Sequence, residues 1–332
     1  MAEAEVSSSA PARGHGAALR VRLLGTSAGG GLPQWNCACG NCRAARAGAI
    51  PCRTQSSVAL SADGERWLIV NASPDIRQQA ECFAPSSGRG SKIAAVALTS
   101  ADVDHTSGLF VLREGGAPPI YATPPVLRAL DVGLGVVRVL SAFGSVRSRP
   151  FWPGKDCFFS DGDGNLLGIA ARVIPLPGRP PPYMRLGGEP SDPARGDTIG
   201  LAFWATGGAD ATRGAGTVLY APGIAAVSDE LESEATRASV ILVDGTCFSN
   251  EETQALVGRT SADMGHLPIG GEGGTLAWLK KHPGARRIYV HINNTNPVLD
   301  PASPERREVE AAGVEVGRDG VELIGLPSSR AV

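Results

Sequence analysis

No apolar run in this 332-residue chain approaches the roughly 20 residues of a bilayer-spanning helix, so no membrane span is expected. Charge of one sign is also scarce. Thirty-one Lys and Arg against 33 Asp and Glu leave a net charge of −2, which gives no electrostatic case for nucleic acid or an anionic membrane as partner. Residues 1–16 are rich in Ala and Ser but lack the apolar core of a secretory signal, and residues 1–18 are expected to form a floppy N-terminal extension. The glycine-rich stretch 25–31 lacks the Lys-Ser/Thr of a P-loop and the G-x-G-x-x-G order of a dinucleotide site, so it reads as a tight turn. No internal repeat beyond a loose alternation of strands and no clear boundary interrupts the rest, so residues 19–325 are expected to be one domain.

What is present is an ordinary globular composition, 42% hydrophobic and 19% charged, on a chain long enough for a sizeable core. Strand-like apolar runs, several of them apolar almost throughout, recur at 19–24, 58–62, 67–71, 93–99, 198–204, 217–221, 240–244 and 287–292. They predict strands covered on both faces, as in a layered α/β protein. Helices are expected at 75–83, 124–132, 230–238 and 275–282, and a long loop rich in Pro, Gly and Arg over 179–197.

Several runs end on a polar residue, including Asp244 and His291. A carboxylate at the end of a buried strand is costly unless a cation or a donor meets it. With Asp104 and His105, which follow the run at 93–99, these form a candidate set of two imidazoles and two carboxylates. Such a set suits Fe, Mn or Zn and leaves positions open for substrate or oxygen. Three of the seven cysteines crowd into Cys37-Ala38-Cys39-Gly40-Asn41-Cys42. That spacing suits ligands of one ion better than disulfide geometry, so a structural Zn²⁺ site and a reducing, cytoplasmic setting are expected, with Cys52, Asp300 or water completing the site. Asp75 and Arg77 are either substrate contacts or an N-cap and an exposed helix residue. Arg179 and Tyr183 either cover an anionic substrate or belong to a solvated loop; His15 and His282 read as surface.

The stretch Leu23-Leu24-Gly25-Thr26-Ser27-Ala28-Gly29-Gly30-Gly31-Leu32-Pro33-Gln34-Trp35-Asn36-Cys37 closely resembles the coenzyme PQQ (pyrroloquinoline quinone) synthesis protein B family. So do Arg53-Thr54-Gln55-Ser56-Ser57, Asn71-Ala72-Ser73-Pro74-Asp75-Ile76-Arg77, Tyr220-Ala221-Pro222-Gly223 and Val290-His291-Ile292-Asn293-Asn294-Thr295-Asn296-Pro297. The resemblance implies a metallo-β-lactamase-like αββα sandwich: two facing mixed β-sheets, helices outside, and a metal site at the sheet edge. That superfamily carries His-x-His-x-Asp-His in its metal loop; here Ser100 and Asp102 stand where the first two histidines would be, and Asp104-His105 remain. By similarity to cyclic phosphodiesterases with a Cys-x-Cys-x-x-Cys loop, Asp104, His105, a bridging Asp244 and His291 correspond to the ligands of one metal. His266 corresponds to a group acting on substrate. Asp102 remains a catalytic candidate or a holder of a looser second ion. A third histidine of the other metal would fall near 175–178, where this chain has Pro-Leu-Pro-Gly. The phosphodiesterases' fourth zinc ligand falls at Asn294, a poor zinc ligand that is counted with the substrate-side residues.

The activity implied is a step of PQQ biosynthesis. Half a dinuclear site argues against two-metal hydrolysis and for Fe(II)-dependent, or other divalent-metal-dependent, hydroxylation of the tyrosine ring in a peptide-derived, cross-linked Glu-Tyr precursor. Two alternatives stand beside it: a metallohydrolase kept from the superfamily, and a carrier moving PQQ or its precursor towards the periplasm. A homodimer is left open.

Overall fold

In this computed structural model the described residues are 19–85, 88, 90–114, 116–184, 196–207 and 216–323. The expected extension over 1–18, His15 within it, and residues 324–325 of the expected domain lie outside them, as does much of the 179–197 loop.

The eight apolar runs become strands, and six further strands join them among the described residues. In chain order they are β1 (Arg20–Gly25), β2 (Ser57–Ser61), β3 (Trp67–Val70), β4 (Ile93–Ala97), β5 (Ile120–Ala122), β6 (Ser148–Pro150), β7 (Asp156–Ser160), β8 (Leu166–Leu176), β9 (Thr198–Ala205), β10 (Val218–Ala221), β11 (Val240–Asp244), β12 (Arg286–Val290), β13 (Glu315–Val316) and β14 (Glu322–Leu323). One sheet has the order β14-β1-β2-β3-β4-β5-β6 and the other β13-β12-β11-β10-β9-β8-β7. Each is mixed: pairing is antiparallel from β14 to β3 and parallel from β3 to β6, then antiparallel from β7 to β10 and parallel from β10 to β13.

Alternate residues of each strand serve different layers, because successive side chains leave opposite faces. Val240 and Leu242 join Val58, Val70, Ala97 and Leu201 in the core between the sheets. Ile241 and Val243 instead pack outward under Leu231 and Ala235 of the helix Asp229–Arg237 and Leu276 and Leu279 of the helix Thr275–Leu279. On the other sheet, Ile69 and Val96 meet Ile76, Leu109, Val126 and Leu130 of its covering helices. The layer order is therefore helix, sheet, sheet, helix.

All four expected helical segments contain helix, though shorter or subdivided: 75–83 becomes Ile76–Gln79 followed by a 3₁₀ turn, Ala80–Phe83. Reading apolar runs misses β5, β6, β7, β8, β13 and β14. β6 is exposed at all three residues and is held by parallel pairing with β5. Ser303 caps the unpredicted helix Pro304–Ala311 by accepting from Arg306 N, with proline in its first turn. His282 corrects the surface expectation: it is buried edge-on to Trp278, with Nε2 3.4 Å from Glu232 Oε2. No helix among the described residues is long and apolar enough to cross a membrane.

Candidate metal centre and its cavity

The parallel strands of both sheets point their C-terminal ends at one edge, where loops are free to carry chemistry. The short helix Val103–Thr106 after β4 carries Asp104 and His105, β11 ends on Asp244, and β12 runs directly into His291. Two backbone turns sharpen these exits. Asn71 (φ 64°) and His291 (φ 53°) are the non-glycine residues with positive φ among those described, an arrangement that costs about 1–3 kcal/mol and clusters at functional sites. The turn at His291 is followed by two backbone hydrogen bonds that hold it, Ile292 N to Thr26 O (2.9 Å) and Asn293 N to Thr246 O (3.0 Å).

Asp104 Oδ2 lies 3.9 Å from His105 Nε2 and 3.5 Å from His291 Nε2, and one ligand atom from each of the three residues falls within 4.8 Å of the others. The two rings meet edge to face with centroids 5.4 Å apart. Burial alone would raise the Asp104 carboxyl, but His105 and His291 hold it well below the usual carboxylate range. Burial, opposed by Asp104, pushes the His105 imidazole below its ordinary value. For His291 burial is outweighed by hydrogen bonding to Asp104 and Asp244, which carries it up to about 10. The cluster thus favours one positive charge at its centre, which a proton or a metal ion can supply.

Hydrogen bonds around the rim set which ring nitrogens are free. Ser100 Oγ donates its one proton to Asp102 Oδ2 (2.7 Å), so at 2.8 Å it accepts from His105 Nδ1–H. The lone pair of His105 is then on Nε2, a buried atom with no hydrogen-bond partner among the described residues. Thr246 does the same for His291: its hydroxyl donates to Asp244 Oδ1 (2.6 Å) and accepts from His291 Nδ1 (2.9 Å), leaving Nε2 towards Asp104. A buried imidazole lone pair beside a carboxylate and a second imidazole is a donor set that fits a divalent transition metal.

Asp244 is drawn away from that trio. Its carboxylate accepts from Thr246 N (3.0 Å) and Ile224 N (2.9 Å), and Oδ2 is 2.6 Å from His266 Nδ1. Asp244, His266 and His291 therefore form a second convergent group, with the His266 and His291 rings stacked 5.3 Å apart. Burial would raise Asp244, but His266 and His291 hold it well below the carboxylate range.

The three cysteines also converge. Each sulfur takes a backbone N–H, from Cys39, Cys42 and Gln34 for Cys37, Cys39 and Cys42 in turn, all at 3.4 Å. Burial opposes ionisation of Cys37, but the Cys39 N–H and the Cys39, Cys42 and Asn294 side chains outweigh it and lower its pKa, whereas burial raises Cys42. The fourth corner corrects the expectation. Cys52 is exposed and Asp300 caps its own turn through Ala302 N (2.8 Å); Asn294 Nδ2 instead sits 3.2, 3.5 and 3.2 Å from the three sulfurs.

A cavity of about 970 Å³ joins these groups, lined by Asp102, Asp104, His105, His266 and His291 and, at its rim, by Cys37, Cys39 and Asn294. Arg179 lines it as well; Tyr183 instead donates its hydroxyl to the Ala101 carbonyl beneath Asp102. Asp75 and Arg77 are not brought to it. Asp75 accepts from Gln55 N (2.8 Å) and Nε2 (3.0 Å) without capping its helix, and Arg77 is exposed.

Residues 66–292 match the family model of the β-lactamase superfamily domain. The chain is 42% identical over 318 residues to the coenzyme PQQ synthesis protein B of Pseudomonas paraeruginosa, covering 92% of this chain and 99% of that one. It belongs to the coenzyme PQQ synthesis protein B family. A solved family structure, the Zn²⁺-bound PqqB from Methylobacterium extorquens, shares 38% identity with a TM-score of 0.79, covering 92% of this chain and 99% of that one. A diphosphatase of the PhnP family, 18% identical with a TM-score of 0.63 over 93% and 98% of the two chains, shares the fold.

Within this PQQ-biosynthesis family fold, Pro177 and Gly178 face the cavity where the superfamily comparison expects a third histidine, and neither offers a ligand side chain. Sequence reasoning missed Thr246. The signal available was its place two residues beyond the strand-end Asp244, within reach of that residue's own carboxylate.

Proposed function

We propose that the protein hydroxylates the tyrosine ring of the cross-linked Glu-Tyr precursor of PQQ, with one iron ion held by Asp104, His105 and His291. The observation that carries this reading is the buried, partnerless Nε2 of His105 beside Asp104 Oδ2 and His291 Nε2: two imidazoles and one carboxylate, opening on a cavity. That is the ligand set of non-haem Fe(II) oxygenases, which keep open positions for O₂ and substrate. An Fe(II) ion there would supply the reduction of O₂ that ring oxygenation needs. The chain's own residues do the rest. Ser100 and Thr246 fix the two imidazoles, and the Asp244–His266 pair, 2.6 Å apart, holds a proton acceptor at the cavity wall for the phenol or the ring proton.

The deciding assay loads the protein anaerobically with Fe(II), adds the precursor, then admits O₂ with ascorbate as the two-electron donor that reduces the second oxygen atom to water. A +16 mass change on the precursor is expected. Cleavage without O₂ would instead give the hydrolase, a reading favoured by the second convergent group at Asp244, His266 and His291. Tight binding of PQQ with no turnover under any metal would give the carrier.

A further inference from the structure

The segment after β12 divides its side chains among several tasks. His291 faces the metal cluster, Asn294 faces the cysteines, and Asn293, half-buried, lines the cavity wall between them. The Asn293 backbone is pinned at both ends, its N–H donating to Thr246 O (3.0 Å) and its carbonyl accepting from Asn296 N (3.0 Å). Its side chain begins a relay that runs through Thr295, also on the cavity wall, to Glu252. Asn293 Nδ2 is 2.7 Å from Thr295 Oγ1, Thr295 Oγ1 is 2.5 Å from Glu252 Oε1, and Glu252 Oε2 accepts from Phe248 N at 2.6 Å.

The relay fixes which end of the Asn293 amide faces inward. A threonine hydroxyl has one proton, and a carboxylate can only accept it. Above about pH 7, where Glu252 is ionised, Thr295 donates to it and can only accept from Asn293, so the amide NH₂ must face Thr295. The carbonyl Oδ1 is then the free end of a side chain that lines the cavity; it takes no hydrogen bond from the described residues and is not among the buried unpaired atoms. We propose that Asn293 Oδ1 is a preset acceptor that positions a hydrogen-bond-donating N–H or O–H group of the substrate, with Thr295 and Glu252 as positioning residues that hold it in that sense. This rests on the reading of the cavity as the site for the Glu-Tyr precursor, whose amine and phenol groups are donors. An acceptor locked by its neighbours discriminates against a ligand that presents another acceptor, because both lone pairs are then left unpaired.

Glu252→Gln tests the sense of the relay without changing its shape. Phe248 N–H keeps the carbonyl of the introduced amide on its side, so the NH₂ must turn to Thr295. Thr295 then donates to Asn293, whose amide rotates to present NH₂ to the cavity. The experiment measures binding of the synthetic cross-linked Glu-Tyr precursor to the metal-loaded protein by anaerobic calorimetry at about pH 8, above the value of about 7 to which burial pushes the Glu252 carboxyl. Loss of one such hydrogen bond is worth about tenfold in Kd. Glu252→Gln and Asn293→Ala should each weaken binding about tenfold, and the double variant no more than either alone, since both remove the same contact. Thr295→Val, which breaks the relay in the middle, should match them, and Thr295→Ser should restore wild-type binding. Additive losses, or wild-type affinity in both Glu252→Gln and Thr295→Val, would overturn the proposal while leaving the proposed function intact. Failure of the unaltered protein to bind the precursor at all would overturn both.

Discussion

At the scale of single residues, Ser100 and Asp102 are more than lost ligands. By the resemblance to the superfamily they stand where two histidines would be; the structure gives them a joint task, Asp102 taking the Ser100 proton so that Ser100 accepts from His105 Nδ1. Partners that orient a ligand imidazole are typically worth 10–100-fold in metal affinity. Ser100→Ala should therefore weaken metal binding by about that factor, measured by competition with a chelator, while circular dichroism stays unchanged; undiminished affinity would leave the contact without a role. Glu252 supports a second expectation. Burial raises its carboxyl to about 7, against hydrogen bonds from Thr295 and Phe248 N that only partly offset it. The folded protein thus keeps a proton that the unfolded chain releases from its ordinary value of 4.5 upward, so this contribution to stability is complete below that value and is lost as pH rises through about 7. Thermal melts at about pH 5 and pH 8 should show a smaller fall for Glu252→Gln than for wild type. An equal fall would assign the slope to other groups.

Among elements, the cysteine loop makes the clearest separable unit. Its sulfurs are tied to backbone N–H groups of the loop itself and to Asn294, and share no ligand with the Asp104–His105–His291 group. Cys39→Ser should lower zinc content and the melting temperature while the other ion stays bound, since a structural zinc contributes folding energy directly. Parallel loss of both metals, followed by elemental analysis, would show the two sites to be one coupled unit. Elements also show where sequence reading stops. β4, β11 and β12 were legible because each carries an unbroken apolar stretch, Ile288-Tyr289-Val290 in β12, that runs on into a polar residue. β8 carries Gly168, Arg172 and Pro175 at half-buried positions that break up its buried ones, and β6 has no apolar residue on a buried face, so neither left a pattern to find. Asp104, His105, Asp244 and His291 could be seen as strand-end candidates. The division of Asp244 from the other three, and the placing of Asn294 against the cysteines, depend on hydrogen bonds between segments as much as 257 residues apart, which spacing along a chain does not encode.

For the whole molecule, the important fact is that the candidate ligands come from both sheets: Asp104 and His105 follow β4, and His291 follows β12. An ion that binds only the folded arrangement stabilises it by mass action, about 2.7 kcal/mol at one hundred times its Kd. Saturating Fe(II) should accordingly raise the melting temperature, and Asp104→Asn, which leaves the cavity's shape intact, should remove most of that response. A response unchanged in Asp104→Asn would mean that the stabilising ion sits elsewhere.

Ligands shared between two halves also constrain how anything enters. Spreading the sheets would open the cavity, but it would pull His291 from Asp104 and His105 in the same movement. The seam cannot be both hinge and doorway. Passage is left to the rim, where residues 34–39 and 262–266 border the cavity without belonging to either sheet. Hydrogen exchange during turnover should therefore quicken in those rim segments and stay slow in β4 and β12.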